Sequence, residues 1–404
     1  MTSPLRVLRT TGSHGVVKGH GSAEGERSLS VIVLLGGLSV GGAEHQAIAL
    51  AGALLRRGQA VTIVSLADGP LRSQVEAHGI PLIVLVRPWG LSPAAIPALA
   101  RVVRHQAPDV MYAFLDVQWL VALAARLLAP RVRVVLGLRS SQYHQHGTSV
   151  RSRTLRVLIR QLARYADLLI ANSLSGLKDF ERAVPRAPHG IVVPNGVDPT
   201  RFSPDATGRN TLRDEWSIGA GELIVGHVGR LDPVKNHEML LDAFALALRH
   251  DKRLRLVCIG HGEPLRVASL HALATRLGVA HRVTFAGPRH DLAAVYSALD
   301  ILALTSVREG FPNVVAESML CGVPAVVTDT GAAAEIVGPL GEVVPCGDAA
   351  LFAAGLQRLI RRRSSALSAR CRLRILADFT LDRSAALTCA ALQSLIPHFH
   401  ARRS

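Results

Sequence analysis

Short runs of valine, isoleucine and leucine alternate along this chain with segments of helical length, and this alternation limits the fold more than any other feature. Seven runs precede residue 199 and six follow residue 221. They are residues 29–35, 61–66, 81–86, 109–114, 132–138, 167–172, 190–195, 223–229, 254–260, 282–288, 301–306, 324–329 and 341–345. Such runs are typical of parallel strands buried on both faces. The sequence therefore predicts an α/β fold built from βαβ units.

A polar stretch separates the two sets of runs. It extends from Pro199 to Gly221 and contains turn-forming residues, as linkers between domains do. We predict two doubly wound domains, at residues 29–199 and 200–380. A flexible tail at residues 1–28 precedes them, and a helix within residues 381–404 packs back toward the first domain. Ligands of such sheets bind at the carboxyl ends of strands, so we expect the site in a cleft between the domains.

Composition excludes several other classes of protein. Hydrophobic residues make up 49% of the chain and charged residues 19%, which argues against disorder. The longest uncharged apolar stretch, from Ser28 to Ala43, includes four glycines and is too short to span a bilayer. The first 28 residues have no apolar core of the kind that secretory signals carry. The five cysteines include no C-x-x-C pair, which favours reduced thiols in a cytoplasmic protein.

The net charge of +16 comes from arginine, because only four of the 46 basic residues are lysines. Between Arg126 and Ala166 there are nine arginines and no acidic residue, which predicts an anionic partner. Part of this stretch has apolar residues at helical spacing (Leu155, Leu158, Ile159, Leu162) beside basic ones (Arg151, Arg153, Arg156, Arg160, Arg164). Two interpretations stay open: a surface helix packed on its own sheet, or a cationic face that meets anionic phospholipid. No aromatic residues interleave with these arginines, so no nucleic acid is expected.

A turn with four glycines, Gly36 to Gly42, joins the first run to the next helical segment. Its G-x-S-x-G pattern matches a nucleophile elbow, but no earlier strand is available to supply the second oxyanion-hole amide. Its glycine spacing also differs from the dinucleotide fingerprint G-x-G-x-x-G. The remaining interpretation is a loop whose backbone amides approach a phosphate at a helix N-terminus.

Two further motifs lie in the second half. Arg230 and Lys235 follow a predicted strand, and two cations in such a loop suit a diphosphate. Glu309 and Glu317 flank the sequence Gly-Phe-Pro-Asn, where we predict a loop that enters a helix near Asn313. Carboxylates near a helix N-terminus suit a ligand that carries both sugar hydroxyls and phosphate.

With these motifs the sequence resembles the retaining nucleotide-sugar glycosyltransferases of family 4, which have the GT-B fold. The resemblance covers about residues 30 to 380 and rests on residues 41–44, 195–198, 229–235 and 309–317. It implies two Rossmann-like domains that face each other across a cleft. It also implies transfer of a sugar from a nucleotide diphosphate donor to an acceptor hydroxyl, in cell-surface polysaccharide or glycolipid synthesis.

The resemblance implies roles for individual residues. Arg230 and Lys235 hold the leaving diphosphate, Glu309 contacts the hydroxyls of the donor sugar, and Glu317 binds the ribose. The other implied donor-binding residues are Gly42, Phe311, Pro312, Asn313 and Val314. No cofactor and no metal are expected, because the chain has no D-x-D motif. Two histidine pairs, His144 with His146 and His398 with His400, have no cysteine or carboxylate nearby to complete a metal site.

One position departs from the family. Many members have a histidine after the strand that corresponds to residues 132–138, and Arg139 occupies that place here, in the acceptor or sugar pocket. Two alternatives remain open: a nucleotide-sugar epimerase or hydrolase on the same fold, and a non-catalytic relative that binds nucleotide sugars. The expected partners are a nucleotide sugar and a lipid-linked or glycan acceptor. The expected location is the cytoplasm or the inner face of the cytoplasmic membrane.

Overall fold

The computed structural model describes residues 7–9, 28–85, 94–139, 157–159, 161–184 and 186–396. The chain divides into two compact units. The first comprises Met1–Gly196 together with Leu381–Ser404, and the second comprises Val197–Thr380. The sequence predicts a domain boundary after residue 199, and in the structure the boundary lies after Gly196. The C-terminal helix, Leu381–Gln393, belongs to the first unit.

The first unit contains one sheet. Its strands are β1 (Val7–Arg9), β2 (Ser30–Leu35), β3 (Ala60–Ser65), β4 (Leu82–Leu85), β5 (Val110–Ala113), β6 (Arg133–Leu138), β7 (Leu168–Ala171) and β8 (Gly190–Val192). They are ordered β1-β4-β3-β2-β5-β6-β7-β8, and all pairs are parallel except β1 with β4. β1 lies within the segment predicted to be a flexible tail. Its three residues are too few to show a hydrophobic period, so sequence analysis missed it.

Helices cover both faces of this sheet. They are α1 (Gly42–Arg56), α2 (Arg72–Ala77), α3 (Ala95–Gln106), α4 (Asp116–Leu128) and α5 (Leu174–Ala183), with a further helical segment at 157–159 and 161–163. Side chains of β2 alternate between the faces: Val31 and Val33 pack with α1, and Ile32 and Leu34 pack on the opposite side. The C-terminal helix buries Ala385, among other residues, in the same core as α1.

The second unit contains a six-stranded sheet in which all pairs are parallel. Its strands are β9 (Leu223–Val228), β10 (Leu254–Ile259), β11 (Val283–Gly287), β12 (Ile301–Leu304), β13 (Ala325–Thr328) and β14 (Glu342–Val344). The strands are ordered β11-β10-β9-β12-β13-β14. The chain adds β10 and β11 on one side of β9, and then returns to add β12, β13 and β14 on its other side. The loops after β9 and β12 therefore leave the sheet at a topological switch point, where parallel sheets form ligand crevices.

Eight α-helices accompany the second sheet in the fully described stretch 197–380. They are α6 (Ala206–Glu215), α7 (His237–His250), α8 (Pro264–Arg276), α9 (Leu292–Ala298), α10 (Asn313–Leu320), α11 (Ala333–Val337), α12 (Ala349–Arg362) and α13 (Ser365–Asp378). Each of the strands β2–β14 coincides with one of the thirteen apolar runs, and only β3 extends beyond its run, by one residue at Ala60. The predicted doubly wound α/β fold is therefore confirmed. Within the described ranges, every helix is too short or too polar to cross a bilayer.

Candidate active site

The loop after β9 leads directly to the predicted phosphate-binding lysine. A short 3-10 turn, Pro233–Lys235, follows Asp232, whose side chain accepts a hydrogen bond from the backbone amide of Lys235 at 3.2 Å. Asn236 ends this turn in the left-handed conformation (φ 51°), and its side chain caps the N-terminus of α7. Side-chain caps at both ends of a tight turn hold the lysine backbone in one position.

Lys235 and Glu309 meet although 74 residues separate them in the sequence. The Lys235 Nζ lies 2.6 Å from Glu309 Oε1, and the Ser306 hydroxyl donates to the same oxygen at 2.7 Å. The two charged side chains are 19% and 13% exposed. A charge-assisted hydrogen bond with this little exposure to water fixes both ends in place. The sequence motifs predict both residues but not that they pair.

The loop after β13 holds the backbone at Glu309 in place through hydrogen bonds. The Glu309 amide donates to Thr330 Oγ1 at 3.0 Å, and the amide of Ala332 donates to the carbonyl oxygen of Gly310 at 2.8 Å. Gly331 has φ 58°, and a Cβ atom there would collide with the carbonyl oxygens of Glu309 and Gly310. Only glycine satisfies both the backbone conformation and this close approach.

Helix α10 begins at Asn313, after Pro312, as the sequence predicts. Glu317 lies in its second turn, partly buried, and its Oε2 accepts a hydrogen bond from the hydroxyl of the buried Tyr296 at 2.6 Å. Burial raises the pKa of Glu317, and the Tyr296 hydrogen bond and the charge of Arg201 oppose that shift only in part. No sequence motif marks Tyr296, so sequence analysis missed this partner.

The residues between the two glutamates divide into two groups. Phe311 is 5% exposed, and its ring lies 5.7 Å from that of Phe379, so its side chain is part of the core. Pro312 is also buried, whereas Asn313 and Val314 are partly exposed at the start of the helix. Any contact of Phe311 with a donor would therefore come from its backbone.

Arg230 differs from Lys235 in its surroundings. Its side chain is 75% exposed, and it pairs with Asp232 at 3.0 Å on the surface. Exposed ion pairs of this kind contribute only about 0–1 kcal/mol, so an anionic ligand can replace Asp232 at little cost. The structure therefore places one predicted cation in a fixed ion pair and leaves the other on the surface.

A histidine pair that sequence analysis did not identify lies beside Lys235. His227 on β9 and His237 on α7 are 0% and 1% exposed, and their ring centroids are 4.2 Å apart. None of their ring nitrogens has a hydrogen-bond partner among the described residues. Burial lowers the pKa of His237 to about 4 and that of His227 well below 6.5, so both rings are neutral at physiological pH.

In the first unit, the glycine turn leads into α1, which begins at the predicted residue Gly42. The preceding Gly41 is extended and provides no side-chain cap. A Cβ atom on Gly41 would collide with the Glu44 carboxylate, and one on Gly36 would collide with Gln118 of α4. Both groups are the ends of flexible side chains, which can move aside. The backbone amides at the helix N-terminus suit an anion.

Arg139 follows β6 directly and is held by uncharged partners. Its guanidinium donates to Asn195 Oδ1 at 3.2 Å and to the hydroxyl of Tyr112, and it lies 4.3 Å from the ring centroid of Phe114. Within the described ranges, no carboxylate forms an ion pair with it, and residues 140–156 contain no acidic residue. The three partners were missed because they come from distant segments. A cation without a carboxylate partner is suited to an anionic group of a ligand.

The arginine-rich stretch is described only in part. Arg151, Arg153, Arg156 and Arg160 lie outside the described residues, as do the His144–His146 and His398–His400 pairs. The predicted apolar stripe needs a correction: Ile159 is buried, but Leu158 is 47% exposed, and Ala163 is buried instead. Leu158 and Val157 therefore face away from the core, and Arg164 is exposed beside Tyr165. Among the described residues, no group of three or more His, Cys, Asp or Glu is placed to hold a metal ion.

Solved glycosyltransferase structures resemble this chain over most of its length. Anabaena HepE in complex with UDP aligns with a TM-score of 0.79 at 26% identity, covering 91% of this chain and 100% of that one. HepE in complex with UDP-glucose aligns with a TM-score of 0.78 at 26% identity, covering 90% and 100%. The two parallel sheets and these structural neighbours show that this protein is a glycosyltransferase with the GT-B fold.

Sequence comparisons define the family. The model of glycosyltransferase family 4 matches residues 40–201, and that of glycosyl transferases group 1 matches residues 222–362. The D-inositol 3-phosphate glycosyltransferase of Corynebacterium diphtheriae is 29% identical, over 79% of this chain and 82% of its own. The one from Corynebacterium jeikeium is 36% identical, over 46% of each chain, so this match spans less than half of that relative. The chain belongs to the family 4 glycosyltransferases.

Proposed function

We propose that this protein transfers a sugar from a nucleotide diphosphate sugar to an acceptor hydroxyl, with retention at the anomeric carbon and without a metal ion. The observation that carries the proposal is the Lys235–Glu309 pair at the switch point of the second sheet. It places a cation suited to a diphosphate next to a carboxylate suited to sugar hydroxyls.

In the proposed reaction, the bond between the anomeric carbon and the diphosphate oxygen breaks, and the acceptor oxygen bonds to the same face of the sugar. The acceptor proton passes to the departing phosphate oxygen. Lys235 and Arg230 stabilise the negative charge that develops on the diphosphate, which is the largest demand of this chemistry. Glu309 binds hydroxyls of the sugar, and Glu317 binds those of the ribose.

UDP-glucose is the first donor to test, because HepE was crystallised with UDP and with UDP-glucose. The test incubates the purified protein with UDP-glucose and other nucleotide sugars, with and without acceptor, and follows UDP release and product by NMR. We expect turnover that depends on the acceptor and a product with retained configuration. Release of free sugar without acceptor would indicate a hydrolase, and conversion of the donor alone would indicate an epimerase. Binding of the donor without turnover would indicate a non-catalytic relative.

We propose an acceptor that carries an anionic group, either lipid-linked or a glycan, in polysaccharide or glycolipid synthesis. Two observations support this: the Arg139 guanidinium has uncharged partners, and two relatives are named for the phosphate-bearing D-inositol 3-phosphate. The test compares phosphorylated and unphosphorylated forms of one acceptor with wild type and Arg139→Gln. A preference for the phosphorylated form that the variant retains in full would contradict the role of Arg139.

We also propose peripheral contact with anionic membrane through Arg151, Arg153, Arg156, Arg160 and Arg164. Exposed Val157 and Leu158 support it, since apolar residues beside basic ones favour the membrane interface. Each arginine near an anionic surface contributes about 1 kcal/mol. The test is co-sedimentation with neutral and anionic vesicles at low and high salt, for wild type and an Arg153/Arg156/Arg160 triple serine variant. Equal sedimentation of both proteins with anionic vesicles at low salt would rule this contact out.

A further inference from the structure

A cavity of about 640 Å³ opens in the second unit, away from the proposed donor site. Asp300 precedes β12 and Pro324 precedes β13, so the cavity lies at the amino ends of these strands. Lys235 and Glu309 follow the carboxyl ends of β9 and β12, at the other edge of the same sheet. Nothing in the proposed transfer reaction uses this cavity.

The cavity walls carry more positive charge than their carboxylates neutralise. Asp300 has a side chain that is 4% exposed, and its oxygens accept hydrogen bonds from Arg209 at 3.0 Å, Arg363 at 2.8 Å and Arg213 at 3.3 Å. One carboxylate therefore serves three guanidinium groups. Arg209 and Arg363 line the cavity, whereas Arg213 is buried and does not line it. A third arginine of the wall, Arg372, donates to carbonyl oxygens, including that of Leu320 at 2.7 Å.

Two other carboxylates near the wall, Asp205 and Glu317, do not remove this excess. Asp205 is close to the wall, because its backbone amide donates to the hydroxyl of Ser297 at 2.9 Å. Its side chain accepts from the amide of Gly208 at 2.8 Å as the N-cap of α6. With Arg213 counted among the arginines, and Asp205 and Glu317 among the acids, four arginines at or beside the cavity still outnumber three carboxylates.

The arginines are also held in place before any ligand arrives. Arg209 donates to the carbonyl oxygens of residues 297, 298 and 299 at 2.8–3.1 Å, at the end of α9. Helix α13 begins in the same wall, with Ser364 as its N-cap and Ser365 and Ser368 also lining the cavity. Its first-turn amides and partial positive charge add to the field of the guanidinium groups. Fixed donors of this kind lose little entropy when an anion binds.

We propose that this cavity binds a phosphate group, either as inorganic phosphate or as the phosphate monoester of a small metabolite. Guanidinium groups match phosphate oxygens in pairs, and serine hydroxyls supply further donors. The volume exceeds that of a single phosphate ion, so the cavity has room for a small group esterified to it.

The test measures phosphate binding by calorimetry on the full chain at saturating UDP, which occupies the donor site. Inorganic phosphate and glycerol 1-phosphate are titrated separately, because they distinguish the free anion from a monoester. Two variants alter the cavity. Arg363→Gln removes a single partner of Asp300, which keeps Arg209 and Arg213. Ser365→Glu places a negative charge at the cavity, where an acid in the first helical turn stabilises the helix and keeps the protein folded. Arg370→Gln, on the same helix but outside the cavity lining, is the matched control.

We expect wild type and Arg370→Gln to bind one equivalent of at least one probe in the presence of UDP. Arg363→Gln should weaken that binding about tenfold or more, as expected for a lost hydrogen bond between charged groups. Ser365→Glu should abolish it while thermal unfolding shows a folded protein. Absence of binding to UDP-saturated wild type, or equal binding by all four proteins, would overturn the proposal. Transferase activity of the wild-type protein is measured in parallel. Its presence or absence tests the proposed function and not phosphate binding in the cavity.

Discussion

Removing the charges of Lys235 and Glu309 one at a time and together separates a structural role of this pair from a catalytic one. The perturbations are Lys235→Met, Glu309→Gln and the double variant. In Lys235→Met, the Glu309 carboxylate, 13% exposed, loses the ammonium that lies 2.6 Å away. Leaving one partner of a largely buried pair uncompensated costs about 3 kcal/mol in the free energy of unfolding. In the double variant no charge remains to be compensated, so we expect most of that loss to be recovered.

Activity should behave differently from stability. If Lys235 opposes the charge that develops on the diphosphate, its loss should lower kcat about 10²–10³-fold, as for other donors aimed at a developing charge. The double variant should be as inactive as Lys235→Met, because the neutral amide introduced by Glu309→Gln cannot replace the missing cation. The increase in donor KM should be smaller than the decrease in kcat, since the interaction strengthens in the transition state.

The assay combines urea unfolding with steady-state kinetics at saturating acceptor, for wild type and all three variants. Recovery of stability without recovery of kcat in the double variant would agree with the proposed role. Recovery of both together would refute it, because Lys235 would then act only by balancing the charge of Glu309. A wild-type kcat in Lys235→Met alone would refute it more directly.

Three further outcomes are expected. Glu317→Ala should raise the donor KM about 10–100-fold with little change in kcat, because the carboxylate binds ribose equally in ground and transition states. Tyr296→Phe keeps the carboxylate and should raise the donor KM less. An unchanged donor KM in Glu317→Ala would exclude ribose binding by this residue. Activity should survive EDTA, since the two cations act at the diphosphate; loss on chelation that Mg²⁺ or Mn²⁺ restores would show the opposite. Because burial lowers the pKa of His237 from 6.5 to about 4, the unfolded state binds more protons between these values, and stability should fall as pH decreases from 6.5 to 4, by up to about 3 kcal/mol. Urea unfolding at pH 7.5 and 5 should show a smaller loss in His237→Leu than in wild type; an equal loss would place the acid sensitivity elsewhere.

Much of the fold follows from the sequence alone because its signals are local. A run such as residues 301–304 is apolar throughout, and burial on both faces of a parallel sheet is the arrangement that stabilises it in water. The start of α10 at Asn313 is equally local, since proline is favoured at the beginning of a helix. Lys235, Glu309 and Glu317 could be selected as candidates because their motifs are contiguous in sequence. The strand β1 was missed, since three residues carry no period.

Which residues meet was decided by the tertiary structure. Lys235 contacts Glu309 because β12 inserts beside β9 in the sheet, and nothing within either motif specifies that strand order. Tyr296 reaches Glu317 for the same kind of reason, through the packing of α9 against α10. The sequence determined which side chains carry charge and which segments form strands and helices, since both depend on neighbouring residues. The pairing and burial of those charges depend on contacts between distant segments, and only the folded chain brings these together.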